Sequence, residues 1–410
     1  MQPLDVFVAA AQAANPDNRE ARATVDERVA EARESAGKFL PSFNATGTYT
    51  RNQYQVALSV PSGGGLESLN VLPSNEGDAS FKLTVPIVDV GAWERTSSSR
   101  ASADAARANR DATQLDIERD VARDYYQLTG AEALLASARE TLDVAQRNVT
   151  LVRDQSKSGV ASDLDVERAL ADVASAEQDV ASAGLQVVTG RRALATLSGL
   201  EPDGPSNVPP DDLHEEPPLV SFTGTSVVGL PSVKAASTAF RAADADLRAA
   251  HAAWLPTLSA AAEERLTNAT ALSGGHGEYY LFTATASWHF DFATAPTEQA
   301  RSAALDVARV REDRARRDAE DTIFNAWHQV HVDIEKARSA RAQVVQTKLA
   351  VELARVRYAS GVATELELLQ AARDAFRADA SRIQADADIA YAREALRISV
   401  NRPKGSKEKP

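Results

Sequence analysis

The sequence predicts a mostly α-helical chain made of two copies of one unit, each a β-hairpin followed by a long helical hairpin. Three observations predict it. First, Ser158-Gly159-Val160-Ala161-Ser162-Asp163-Leu164-Asp165-Val166 returns as Ser360-Gly361-Val362-Ala363-Thr364-Glu365-Leu366-Glu367-Leu368, at one offset for both ends (361 − 159 = 202 and 368 − 166 = 202). Second, each copy interrupts a long Ala-rich run of helical periodicity. Third, two-residue alternation with aromatic positions precedes each run. A whole layout repeated at one spacing marks internal duplication.

The 410 residues suffice for two or three domains, and 44% hydrophobic content can fill sizeable cores. With aromatics at only 6%, thin, closely packed helices are expected rather than one bulky core. A net charge of −13 argues against a nucleic-acid partner. The absence of cysteine excludes disulfides, thiolate catalysis and Cys-ligated metals. Met1-Gln2-Pro3-Leu4-Asp5 has neither the basic nor the apolar region of a signal peptide. No run reaches the roughly 18 apolar residues of a membrane-spanning helix, which leaves a soluble protein or a β-barrel.

In chain order, 4–36 reads as helix, broken at Gly37. Phe39-Leu40-Pro41-Ser42 opens a β-hairpin over 42–88. Its strands are read at Tyr54, Val56, Leu58 and Val60 and at Phe81, Leu83, Val85 and Ile87, with a turn-rich loop between. Past Val88-Asp89-Val90-Gly91 the period becomes helical for some 65 residues, which at 1.5 Å each is about 95 Å. Leu135, Ala138, Leu142, Ala145, Val149 and Val152 form a 3,4-spaced seam, and the return arm carries another from Val166 to Leu197. Gly199 closes the first unit (1–200) as a C-terminal cap.

Seven prolines between Pro202 and Pro231 make 201–231 an extended, non-helical linker. The second unit (232–402) then repeats the order. Trp254-Leu255-Pro256-Thr257 opens a β-hairpin over 257–292, with Tyr280, Phe282, Ala284, Ala286 and Trp288 on one face. The segment 259–269 alternates weakly. Phe290-Asp291-Phe292 leads into helix to about 358, the tip at 360–365, and a return arm to about Val400; 403–410 reads as a disordered tail.

Two strands per unit are too few to stand alone in water, and an aromatic apolar face needs cover. Several copies, each giving four strands, would close into a barrel without edges.

The repeated order of these features resembles the outer-membrane efflux proteins of the TolC type, over nearly all of residues 4–402. The resemblance rests on the duplicated layout, the Leu-Pro hairpin openings, the Val-Asp-Val-Gly and Phe-Asp-Phe exits and the Ser-Gly-Val-Ala-(Ser/Thr) tips. It implies a homotrimer in the outer membrane of a Gram-negative bacterium, with a shared twelve-stranded β-barrel in lipid and a periplasmic α-barrel. It implies docking of a periplasmic adaptor, and through it an inner-membrane pump, at Gly159, Val160, Ala161 and Ser162 and at Gly361, Val362, Ala363 and Thr364. It also implies a gate at the periplasmic entrance. The positions matching the family's acidic ring are Glu367 and Gln370, of which only the first is acidic; Glu365, Asp163 and Asp165 lie close enough to supply charge instead. No catalytic residue and no cofactor is implied.

The runner-up is a soluble coiled-coil scaffold using its hairpin tips as docking sites. Such a scaffold needs no aromatic two-residue alternation, which this chain carries in at least three segments. His328 and His331 sit three apart on a helix, but no third ligand follows them, so no metal site is expected. No Ser/His/Asp order and no phosphate loop is present.

Overall fold

The computed structural model describes residues 1–62, 65–206, 210–223, 225–271, 273, 276–289 and 291–402. The expected disordered tail at 403–410, Phe290 of the second hairpin exit, Pro209 of the linker and the Gly63-Gly64 turn lie outside them. The elements run α1 (Leu4–Ala14), α2 (Pro16–Gly37), β1 (Ser42–Arg51), β2 (Val56–Ser62), β3 (Gly65–Leu72), β4 (Asn75–Val88), α3 (Val90–Lys157) and α4 (Asp163–Ser198). There follow α5 (Thr225–Val228), α6 (Pro231–His251), β5 (Thr257–Thr267), β6 (Glu278–Ser287), α7 (Thr294–Ala359) and α8 (Glu365–Ser399). The predicted fold class, a mostly helical chain with four strands in one sheet, is borne out.

The chain divides into two compact units, one of residues 1–23, 107–234 and 313–410, the other of 24–106 and 235–312. The first is helical and is held by three apolar clusters. One packs Phe7 of α1 against Val121, Tyr125 and Leu128 of α3 and Leu194 of α4. A second sets Phe222, Val227, Leu230 and Val233 against Ile323, Val330 and Ile334 of α7 and Ile389 and Leu396 of α8. A third, of Val149, Val152 and Ala169, lies toward the hairpin reversal. Along the predicted seams Ala138 and Ala145 on α3 and Ala169, Ala176 and Ala183 on α4 are buried, as are Val149, Val152, Val187 and Leu194. Where the buried side chain is alanine, the helix backbones can approach closely.

The second unit carries an antiparallel sheet in the order β1-β4-β5-β6, plus the separate β2–β3 ribbon. Here the structure corrects three sequence readings. The partner of β4 is β1, from Ser42↔Thr84 to Arg51↔Asn75, while Val56–Ser62 pairs with β3. The alternation at 54–60 is genuine strand pattern, but Tyr54 lies in the bend before it and the strand belongs to the ribbon. The segment read as a weak strand at 259–269 is a full inner strand over Thr257–Thr267, hydrogen-bonded on both sides by β4 and β6, because a neighbour on each edge supplies what its Ala-rich pattern lacks.

Two further corrections are local. The first helical run breaks at Asn15, where Pro16 occupies the first helical position and the Asn15 carboxamide oxygen accepts from the Asp17 N–H at 2.8 Å. The linker is not extended throughout, since Leu219–Ser221 forms a 3₁₀ turn and Thr225–Val228 a helical turn. Both lie between prolines, where a single turn needs few interior N–H donors.

Candidate functional site

The register separates the sheet into two chemically different faces, since successive residues of a strand alternate sides. Phe43 and Tyr49 of β1, Phe81 and Leu83 of β4, Ala260 and Ala262 of β5 and Tyr280 and Phe282 of β6 share one side, and all four of these aromatic residues on β1 and β6 are exposed. Asn44, Thr46, Ser80, Lys82, Glu263, Arg265, Thr283 and Thr285 share the other. On that polar side Arg265 grips Asp78 through two hydrogen bonds, and Lys82 stands 3.8 Å from Glu263. Trp288 lies just beyond β6, its indole N–H donating to the Trp254 carbonyl at 3.0 Å.

The backbone hydrogen bonds of the two tips repeat one for one. Gly159 and Gly361 take positive φ, +75° and +74°. The Gly159 N–H donates to the Ser156 carbonyl and Val160 N–H to that of Gln155; in the second tip Gly361 donates to Tyr358 and Val362 to Arg357. This pairing of six-to-one and five-to-two bonds is the Schellman ending of a helix, in which the αL position belongs to glycine. The residue after that glycine usually folds its apolar side chain back on the helix. Here the side chains it would meet are Gln155 and Arg357, and the valines stay out in solvent, Val160 at 77% and Val362 at 68% exposure. Ala161 and Ala363 are half-buried beneath them.

Each return helix starts on a hydroxyl cap. Ser162 accepts from the Asp165 N–H, and the Asp165 carboxylate accepts from the Ser162 N–H at 3.2 Å, completing a capping box. The Ser162 hydroxyl, donating to that carboxylate at 2.7 Å, and then the Ser162 N–H hold the Asp165 carboxyl below its ordinary range. Thr364 accepts from the Glu367 N–H at 3.3 Å. Asp163, Glu367 and Gln370 are exposed, and Asp163 accepts from the Ser156 hydroxyl at 3.3 Å.

Glu365 stands apart, only 3% exposed. One carboxyl oxygen accepts from Asn148 of α3 at 3.4 Å; the other, buried, has no hydrogen-bond partner among the described residues. Burial, and then the charge of Asp165, push its carboxyl up to about 6. Two further contacts join the hairpins here, the Tyr358 hydroxyl donating to Gln155 at 2.9 Å and Arg373 pairing with Asp172 at 2.9 Å.

Duplication could not reveal these pairs. Tyr358 is the repeat-equivalent of Ser156, not of Gln155 (358 − 202 = 156), and Arg373 and Asp172 differ by 201 rather than 202. Among the described residues no three His, Cys, Asp or Glu side chains are grouped to hold a metal, and no helix is long and apolar enough to cross a membrane.

Comparison with known proteins fits this geometry. The chain is 26% identical over 384 residues to TtgC, a probable efflux pump outer membrane protein of Pseudomonas putida, covering 90% of this chain and 76% of that one. It is 26% identical over 296 residues to the cation efflux system protein CusC of Escherichia coli, covering 68% and 62%. Among solved structures it shares the fold of CusC, with TM-score 0.83 at 18% identity over 97% of this chain and 91% of the other. The open Neisseria gonorrhoeae MtrE outer membrane channel gives TM-score 0.80 at 20% identity over 97% and 89%. The family profile described as outer membrane efflux protein matches residues 8–200 and 228–402, both halves with both hairpins, and this chain belongs to that family.

Proposed function

We propose that the chain is the outer-membrane exit duct of a tripartite export system, acting as a homotrimer. The observation that carries this reading is the two-faced sheet. An aromatic, solvent-exposed side suits lipid, an ion-paired side suits a water-filled lumen, and β1 and β6 stand at its edges. Three copies pairing edge to edge close twelve strands, removing the exposed edges that an open sheet leaves.

The twin tips support docking of a periplasmic adaptor. Val160 and Val362 each offer an uncovered apolar side chain on a reversal whose backbone is held by glycine. Glu367, Gln370 and Asp163 are exposed beside them and form the polar rim of the periplasmic gate. A ring of carboxylates there favours cations and repels itself, so the shut state needs the helices to be held together. Energy for transport comes from the inner-membrane pump, and the adaptor shifts the tips to open the duct.

The test is extraction of the full-length protein from outer membranes in detergent, a mass measurement, and conductance in planar bilayers. A trimer with ion conductance is expected; a monomer in the soluble fraction would favour the coiled-coil scaffold.

A further inference from the structure

Glu365 is poorly placed for a carboxylate. It lies one residue after the helix cap Thr364, where backbone N–H groups face outward, yet its side chain turns into the space between the two helical hairpins. Its surroundings come from all four helix ends. From α3, Asn148 donates to one oxygen. From α4, Asp165 and Asp172 oppose its ionisation and Arg168 favours it. From α7, Tyr358 approaches, its phenol pushed up by burial and by Glu365 and Asp165. On α8 itself, Arg373 is engaged by Asp172. The second carboxyl oxygen is buried with no partner among the described residues. A buried ionised carboxylate with one oxygen unsatisfied and two carboxylates near it disfavours the arrangement that buries it; a protonated one does not.

We infer that Glu365 is a proton-operated latch between the two helical hairpins of one protomer, closed when the carboxyl is neutral and loosened when it is charged. Gln155–Tyr358 and Asp172–Arg373 hold the hairpins together in both states. Glu365 then adds to or subtracts from them according to pH.

The sign follows from proton linkage. Between the ordinary carboxyl value of 4.5 and about 6 the latched state binds more proton than an opened, solvated one. The latch is therefore strongest below the lower value, weakens as pH rises through the interval, and is constant above it. The full change in the latched-to-open ratio is roughly 30-fold. This goes beyond adaptor docking and needs no partner to be seen.

The chain contains no cysteine, so a single Leu366→Cys variant carries one spin label per protomer in the first turn of α8, at an exposed position. The mobility of the label, read from the spectral line shape of the purified trimer between pH 4.5 and 8, is the measurement. Mobility is expected to rise with pH through a midpoint between 4.5 and about 6. Adding Glu365→Gln is expected to hold the immobile, acid-like spectrum at every pH, because the amide keeps shape and burial without charge. Adding Asp165→Asn is expected to move the midpoint down. A pH-independent spectrum in the labelled parent, an unchanged titration in Glu365→Gln, or an unmoved midpoint in Asp165→Asn would each overturn the latch.

Discussion

The Arg265 guanidinium meets the Asp78 carboxylate edge to edge, Nε to Oδ1 at 2.8 Å and Nη2 to Oδ2 at 2.7 Å, and so ties β5 to β4. These strands come from different halves of the chain, and their pairing is what makes two hairpins into one sheet. The bidentate fork is specific to arginine.

Arg265→Lys is therefore expected to keep the charge and lose the second bond, lowering stability by about 0.5–1 kcal/mol, since both side chains remain partly in solvent. A double-mutant cycle with Asp78→Asn, followed by denaturant unfolding in detergent, measures the coupling. Zero coupling would mean that backbone pairing alone joins the halves.

The tip glycines make a second prediction. A methyl group added at Gly159 or Gly361 meets no atom within 4 Å, so steric clash is not the obstacle. The obstacle is the positive φ, which costs an L-residue about 1 kcal/mol or more. Gly→Ala at either position is expected to raise amide exchange in the tip by about tenfold, with Gly→Asn milder because asparagine tolerates αL. Bulky replacements at both glycines are expected to weaken adaptor coupling while leaving trimers intact on a sizing column.

The proposed docking on the valines can be tested apart from folding. Val160→Asp with Val362→Asp alters two exposed side chains, so thermal stability is expected to move by less than about 0.5 kcal/mol. Adaptor affinity, measured by biolayer interferometry, is expected to fall at least tenfold. Unchanged affinity would remove the tips as the docking surface.

Arg393 anchors the proline-rich linker to α8. It binds Asp211 through Nε at 2.6 Å, donates to the His214 carbonyl at 2.7 Å and pairs with Glu216, with only 15% of its side chain exposed. Trp327 adds an indole N–H to the Pro217 carbonyl at 2.8 Å. Arg393→Ala leaves two little-exposed carboxylates without this cation, so a loss of about 2 kcal/mol and new protease cleavage near 211–218 are expected. An uncut linker in that variant would show that the apolar packing of Phe222 and Leu230 holds it alone.

Acid acts on the first tip in the opposite sense to Glu365. Asp165 has a depressed carboxyl because the charged form completes the cap, so its contribution is present at neutral pH. That contribution disappears only as pH falls below the ordinary aspartate range. Helix content at the start of α4, followed by amide exchange, is expected to hold from pH 7 to 5 and to fray below about 4, and Asp165→Ala is expected to fray at all pH.

Much of this was legible in the residues themselves. The 202-residue offset located both tips, and the seam spacing picked out Ala138, Ala145, Ala169 and Ala176 as inward-facing. Those signals are local and periodic, so one chain read alone contains them. The break at Asn15-Pro16 was also present as a Pro at a first helical position but was masked by the Ala-rich run around it. Strand partners were not legible. Alternation shows that 54–60 is strand-like, but any strand with one apolar face can pair with any other, and register comes from the neighbours it finds.

The sequence by itself determined the duplicated order, the helix reversals at Gly159 and Gly361 and the existence of two-faced strands, because each depends on residues near in the chain. Only the tertiary structure decided that β4 lies between β1 and β5, and that Tyr358 meets Gln155. It alone decided that Glu365, one of several acids beside the tip motif, is the one turned inward. Those outcomes depend on which helix face and which strand edge come together, over separations from some tens of residues between β1 and β4 to some 200 for the others, and a one-residue change of rotation or register would choose different partners.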